Sequence, residues 1–299
     1  MSDKRILWAS FFCALVLAPC SVSWARPLYI GSVDDNPVKE IAQFSPLAAY
    51  LGRELRADGV SVGKVVVAEG IREMAALLKA GKVDIYLDSA FPSLAVSQLS
   101  GSRLILRRWR HGVGDYHSVI FVKKASGIEK LEDLQGRMIA FDHPASTSGY
   151  FMPKVAFSEK GLRLAQKNAP AAHVEAREVG YIFTRHFENT AYWVAHGKVA
   201  AGAIDSREYS KINRKRRQFT LIFQSPSLPR QIVSHRADME PWLLARIKDV
   251  LLKMDQSEDG RKALRAFETT KFDELDPVSL YPILKAQKLL SAELQFTPH

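Results

Sequence analysis

The chain has 299 residues, 47% of them hydrophobic, and 42 Lys plus Arg against 32 Asp plus Glu give a formal charge of +10. The length accommodates two lobes with separate cores, and the composition is that of an ordinary globular protein rather than a disordered or fibrous one. The positive balance favours anionic ligands or surfaces and does not by itself specify nucleic acid.

Lys4 and Arg5 precede an apolar run from Ile6 to Leu17, and Ser23 with Ala25 forms a small-x-small cleavage pattern. This is the pattern of a secretory signal peptide, too short for a comfortable membrane span. Leu17-Ala18-Pro19-Cys20 comes close to a lipoprotein acylation box, but Pro19 stands where Gly or Ala is expected. Cleavage after Ala25 is therefore expected in preference to an anchor at Cys20. Cys13 and Cys20 both lie in the leader, so export here does not imply a disulfide scaffold. Loss of Asp3, Lys4 and Arg5 lowers the charge by one, to +9.

From the new start, Leu28 to Val33 reads as a strand. Ser45 then caps a helix with Pro46 in its first turn, and Leu47, Leu51 and Leu55 share one face. Strand 62–70, helix Ile71 to Lys79 closed by Gly81, strand 82–87, helix Phe91 to Leu99 stopped by Gly101, and strand 103–109 follow. A new group opens with strand 116–124. It continues with a helical turn at Leu131 to Leu134, strand 137–142, a helix from about Gly149 to Lys160, strand 173–179, helix His186 to His196 and strand 200–205. Two strands, 218–224 and 231–236, lead to a tail whose helices open at Pro241 and Pro277, with Trp242, Ile247, Val250 and Leu251 as one buried side. Alternating strand and helix argues α/β sheets flanked by helices. The simplest division places 26–115 and 208–299 in lobe 1 and 116–207 in lobe 2, with a return crossing near Ser206 to Ser210.

The chemistry concentrates where strands end. Asp142 to Lys154 reads DHPASTSGYFMPK, with three successive hydroxyls and a glycine where a strand hands over to a helix. A helix start offers unpaired amides and the positive end of the helix dipole, a natural seat for an anion. Ser146, Thr147 and Ser148 add donors that rotate to suit, and Gly149 permits close backbone approach. A simple helix cap is the competing reading. Asp88-Ser89 and Asp205-Ser206 close two similar segments, each a helix, a glycine stop, Lys-Val and a strand. They fall at the carboxyl ends of strands, where open α/β sheets bind ligands, although Asp and Ser are also preferred caps. His186 begins a helix with Glu188 behind it, and Tyr116 sits at the crossover. Acceptors such as Glu188 and Asp205 suit an oxyanion that carries a proton or a distant amine, and they exclude fully ionised competitors.

Other features read as structural. His111, His117, His143, His173, His196 and His235 lack metal-ligand spacing, and no metal or cofactor is expected. Arg107, Arg108 and Arg110 around Trp109, and the run Arg214 to Arg217, read as solvated faces. The Gly-x-Ser-x-Gly elbow, the Gly-rich phosphate loop and the His-Glu-x-x-His pattern do not occur, so no catalytic residue is assigned.

The segment GIEKLEDLQGRMIAFDHPASTSGYFMPKVAF (127–157) closely resembles the core motif of the phosphate/phosphite/phosphonate-binding proteins, the solute receptors of ABC importers. IGSVDDNPVKEIAQFSPLAAYLGREL resembles that family's opening strand and helix, YHSVIFVKK its crossover and FQSPSLPRQIVSHRADM its return strands, so the likeness spans nearly the whole mature chain. The resemblance implies a type II-like two-lobed periplasmic binding fold, each lobe a mixed sheet flanked by helices, with the ligand cleft between lobes. It also implies that Ser146, Thr147 and Ser148 hold the oxyanion, with His186 and Glu188 as the His-Glu pair of the second lobe. In relatives that pair is often adjacent, whereas Phe187 separates it here. Relatives usually place an aromatic or glycine near Asp88, so the acid departs from simple phosphonate recognition. The expected partners are a small anionic solute and an inner-membrane ABC permease, with the chain a monomer and no nucleic acid bound. A sensor for a membrane histidine kinase and a secreted serine-dependent hydrolase are the alternatives.

Overall fold

The computed structural model describes residues 25–286, 288–289 and 291–292. The leader and Cys20 lie outside the described residues.

Lobe 1 begins with β1 (Arg26–Val33), α1 (Pro37–Glu54), β2 (Val60–Ala68), α2 (Ile71–Lys79), β3 (Ile85–Asp88), α3 (Ala90–Ser100) and β4 (Arg103–Arg110). The chain crosses through β5 (Asp115–Tyr116) into lobe 2. There it forms β6 (Ser118–Lys123), β7 (Met138–Phe141), α4 (Met152–Glu159), β8 (Arg163–Gln166), β9 (Glu178–Phe183), α5 (Phe187–Ala195), β10 (Ala201–Asp205), α6 (Ser206–Arg216) and β11 (Phe219–Gln224). It returns through β12 (Leu228–Pro229) to β13 (Gln231–His235), α7 (Pro241–Leu252), α8 (Glu258–Ala266), β14 (Thr269–Glu274) and α9 (Tyr281–Leu284).

The two sheets share one plan. Lobe 1 has the order β14-β4-β13-β3-β1-β2 and lobe 2 the order β11-β6-β10-β7-β9-β8. In each, the strand that follows a crossing, β13 or β6, runs antiparallel between its neighbours, and the remaining strands run parallel to one another except β14, which pairs antiparallel with β4 at the edge of lobe 1. The crossings themselves pair as a two-stranded ribbon, Leu228 opposite Tyr116 and Pro229 opposite Asp115. Helices cover both faces of each sheet, so central strands such as β7 are wholly buried. The carboxyl ends of β1, β3, β7, β9 and β10 therefore meet in the gap between lobes, as the topology of open α/β sheets requires.

Several expectations are corrected. Helix α1 starts nine residues before Ser45: Asn36 caps it by accepting from the Lys39 amide at 3.2 Å, and Pro37 takes the first turn. Asn36-Pro37 and Ser45-Pro46 carry the same signal, and in the mature helix the Ser45 hydroxyl donates back to the Ile41 carbonyl at 2.6 Å. Strand 173–179 is replaced by a largely exposed turn followed by β9, whose first four residues are buried on both faces and so lack alternation. Helix α6 occupies a stretch expected as a loop, and β11 pairs with β6, so both belong to lobe 2. The return crossing thus lies after Gln224, not near Ser206 to Ser210. On α7, Leu243 rather than Trp242 faces the core, and Trp242 is exposed.

Candidate functional site

A cavity of about 500 Å³ separates the lobes and is lined from both sides and from the hinge. Of the expected site residues, Ser146, Ser148, His186, Glu188, Asp205, Tyr116, Asp88 and Ser89 line it, whereas Thr147 and Gly149 do not.

The serine turn owes its shape to Pro153. Residues Thr147–Phe151 form a π-helical turn, closed by the Phe151 amide on the Ser146 carbonyl at 3.0 Å, and α4 continues from it. Proline offers no amide to the carbonyls four and five residues earlier. Those carbonyls find other donors: Gly149 O accepts from the Asp142 amide at 3.2 Å, and Ser148 O from the Ser118 hydroxyl at 2.6 Å. These bonds pin the turn onto the ends of β6 and β7. Gly149 is needed for that close approach, because a Cβ there would stand 2.5 Å from the Asp142 Cβ. Its φ is not positive, and it approaches the sheet rather than the cleft.

Within the turn the three hydroxyls divide their work. Ser146 Oγ accepts from the Gly149 amide at 2.9 Å and is a cap. Thr147, fully buried, accepts from the Phe91 amide of α3 at 2.8 Å and so ties lobe 2 to lobe 1. The stacked rings of Phe91 and Phe151, 4.3 Å apart, reinforce that tie. Ser148 lines the cleft with Tyr116, and the hydroxyls of Ser148 and Thr147 partly offset the effect of burial on the phenol. Burial pushes the Tyr116 phenol up to about 12, so it remains a donor at neutral pH. The amides of Thr147 and Ser148 open the helix and have no intrahelical acceptor.

Asp205 caps α6 through the Glu208 amide at 2.8 Å and accepts from Arg230 Nη1 at 2.7 Å. His186 stands at the start of α5 without a cap bond, and its Nδ1 meets Glu188 Oε2 at 2.5 Å, so the separated pair does form, at the exposed rim. Ser89 makes no cap bond; its amide and hydroxyl donate to Asp88 at 2.6 and 3.2 Å. Asp88 also accepts from the Tyr86 phenol at 2.8 Å. It keeps part of its surface open to the cleft, yet burial pushes its carboxyl up to about 7 against those bonds. Burial likewise raises Glu40 in lobe 1, and it lifts Asp142 to about 6, where His186 opposes and Asp205 adds to the effect.

Several lining residues were not foreseen as such. Asp142 lies inside the motif at the end of β7, and His143, which reads as structural from its spacing, lines the cleft beside it. Arg110 and His111 line the cleft and reach Glu268 at 2.9 and 3.4 Å, and Arg108 is a fully buried cation rather than a solvated one. Arg230 and Gln231 enter from the return crossing. At the mouth, Asp35 of lobe 1 receives Arg185 Nη1 of lobe 2 at 3.4 Å and lies 3.9 Å from His143 Nε2. Arg185 adopts φ +65° there, an uncommon conformation for a side-chain-bearing residue. Only sheet topology brings Asp35, Asp142 and Arg230 together; nothing in their local sequence signals it.

Residues 32–281 match the family described as ABC transporter, phosphonate, periplasmic substrate-binding protein. Among solved structures, XAC2383 from Xanthomonas citri, determined bound to chloride ion and to ATP, shares 26% identity. The match covers 90% of this chain and 97% of that one, with TM-scores of 0.81 and 0.80. PhnD1 from Prochlorococcus marinus in complex with methylphosphonate matches at 17% identity over 89% and 99% of the chains, TM-score 0.67. A binding component of an ABC phosphonate transporter from Pseudomonas aeruginosa matches at 18% over 90% and 88%, TM-score 0.64. The two-lobed fold, the cleft at its strand ends and the family match lead to one conclusion: the chain belongs to the periplasmic phosphonate substrate-binding proteins of ABC transporters.

Proposed function

We propose that the cleft binds a small phosphorus oxyanion (phosphonate, phosphite or phosphate) and that the chain, as a monomer, presents it to a membrane permease. One observation carries this reading: a helix start with open amides, Ser148 and the Tyr116 phenol face an interlobe cavity of about 500 Å³. Amides and hydroxyls fixed in a partly desolvated site bind anionic oxygen more strongly than they would in water. The relatives' ligands in hand, methylphosphonate, ATP and chloride, are all anions. Export by cleavage after Ala25 completes the proposal.

The acidic wall of lobe 1 suits a ligand that brings a proton or an amine toward Asp88. The hydrolase alternative loses ground because Ser146 Oγ serves as a helix cap and His186 Nδ1 is engaged by Glu188.

Calorimetry against phosphate, phosphite, methylphosphonate and aminoethylphosphonate tests the reading. A dissociation constant of about a micromolar or tighter, roughly −8 kcal/mol, is expected for at least one. Folded protein that gives no heat with any of the four rejects the ligand class.

A further inference from the structure

The hydroxyl turn supplies neutral donors, whereas a phosphorus oxyanion brings formal charge. A cation within reach of the same floor comes from the return crossing. Arg230 follows β12, lines the cleft, and has only 9% of its side-chain surface exposed. The other arginines of the cleft are more open and paired, Arg110 with Glu268, Arg207 with Glu208 and Arg185 with Asp35, and Lys39 and Lys211 are exposed.

The guanidinium is held on two sides. It lies over the Tyr116 ring at 4.8 Å, and its Nη1 donates to Asp205 Oδ2 at 2.7 Å. Its Nε is buried and has no hydrogen-bond partner among the described residues. A buried donor of a charged group left unpaired is unfavourable, so the geometry calls for an acceptor beside it. Tyr116 stands between this point and the serine turn, since it lines the same cleft as Ser146 and Ser148 and lies beneath the guanidinium.

The neighbouring residue adds a second donor. Gln231 also lines the cleft, and its Oε1 accepts from Arg108 Nη1 at 2.5 Å. Arg108 is itself fixed by Thr269 and the Phe267 carbonyl. The amide oxygen of Gln231 is thereby committed to the protein, and its NH₂ is the end left to serve the cleft.

Resting on the phosphorus-oxyanion reading above, we propose that Arg230 is the residue that takes the ligand's formal charge, with Asp205 as its positioning partner and Gln231 as an adjoining donor. The anion site is then shared between the helix start of lobe 2 and the hinge, and a singly charged oxyanion matches the single charge that Arg230 brings to the cleft. The rival role for Arg230 is a tether that fastens the return crossing to α6.

Asp205→Asn separates the two roles. Asn keeps the α6 cap through its one oxygen but turns an NH₂ toward Arg230 Nη1, so the guanidinium loses its tether while its own charge stays. The full mature chain is titrated calorimetrically with methylphosphonate and with phosphite, and melted without ligand. Arg230→Gln is expected to weaken binding roughly 10- to 150-fold, the range for a lost charged hydrogen bond. Arg230→Lys should fall between, because it keeps charge and loses the planar fork. Asp205→Asn should weaken binding clearly less than Arg230→Gln, because it removes a positioning contact and leaves the cation in place. Equal weakening by Arg230→Gln and Asp205→Asn, or unchanged binding in Arg230→Gln, overturns the inference and leaves the oxyanion reading standing. If Arg230→Gln does not fold, the lysine and asparagine variants decide: Asp205→Asn weakened as much as Arg230→Lys or more overturns the inference, and a larger loss in Arg230→Lys than in Asp205→Asn supports it. Absence of heat from the natural chain rejects the oxyanion reading itself.

Discussion

Carboxylates line the cleft from both lobes, Asp34, Asp35, Glu40 and Asp88 from lobe 1 and Asp142, Glu188, Asp205 and Glu208 from lobe 2, but the turn with Ser146, Ser148 and the open amides of a helix start belongs to lobe 2. The sheets behind these walls share one topology, so the contrast arises from the few residues placed at the strand ends. On the proposed reading, the wall of lobe 2 supplies the donors for an oxyanion, and the carboxyls facing it from lobe 1 select among anions. Buried carboxyls repel a fully ionised guest and accept from one that carries a proton or an amine.

The largest effect on this contrast should come from the backbone that shapes the attractive wall. Gly149→Ala forces a Cβ against that of Asp142, an atom fixed to its own backbone. The expected result is about 3 kcal/mol of lost stability in denaturant titration, together with loss of oxyanion binding. Next come the hydroxyls, which the structure divides. Ser148→Ala should weaken binding by about 1–3 kcal/mol with an unchanged melting temperature. Thr147→Ala should also lower the melting temperature, because the buried Phe91 amide loses its acceptor.

The selective wall is tested through pH. Folded Asp88 releases its proton near pH 7 rather than near the unfolded value of 3.8. Between those values the folded chain holds more protons than the unfolded one, so stability falls as pH rises through the window. Asp88→Asn removes that slope. Its advantage in stability over the natural chain should grow from pH 5 to pH 8, reaching about 1–2 kcal/mol after allowance for its open side. The same change should tighten binding of methylphosphonate and weaken binding of aminoethylphosphonate. Unchanged preference would remove Asp88 from ligand selection. The smallest effect belongs to the exposed contact at the mouth. Asp35→Asn should alter affinity by less than about 1 kcal/mol, and any difference should shrink at high salt.

The turn at Ser146 to Gly149 was legible because it is contiguous, and so were the capping Asp205 and the His186–Glu188 pair. Arg230 was not, although it lies inside a stretch quoted for its likeness to return strands. Its role depends on where β12 places it beside Tyr116, more than a hundred residues earlier in the chain. Arg108 and Arg110 show the same limit. A run of arginines on an alternating strand looks solvated until β13 and β14 cover it on both sides. The displaced start of α1 and the lobe assignment of β11 were ambiguous for a simpler reason. Two polar-proline pairs lie nine residues apart, and an edge strand carries no mark of the sheet that it joins.

The central claim, that the helix start of lobe 2 grips a phosphorus oxyanion in the interlobe cleft, is tested most directly by a crystal structure of the chain with methylphosphonate. The account predicts phosphonate oxygens within hydrogen-bond distance of Ser148 Oγ and of the Thr147 or Ser148 amide. Methylphosphonate bound elsewhere on the molecule, with the serine turn touching none of it, would contradict the account.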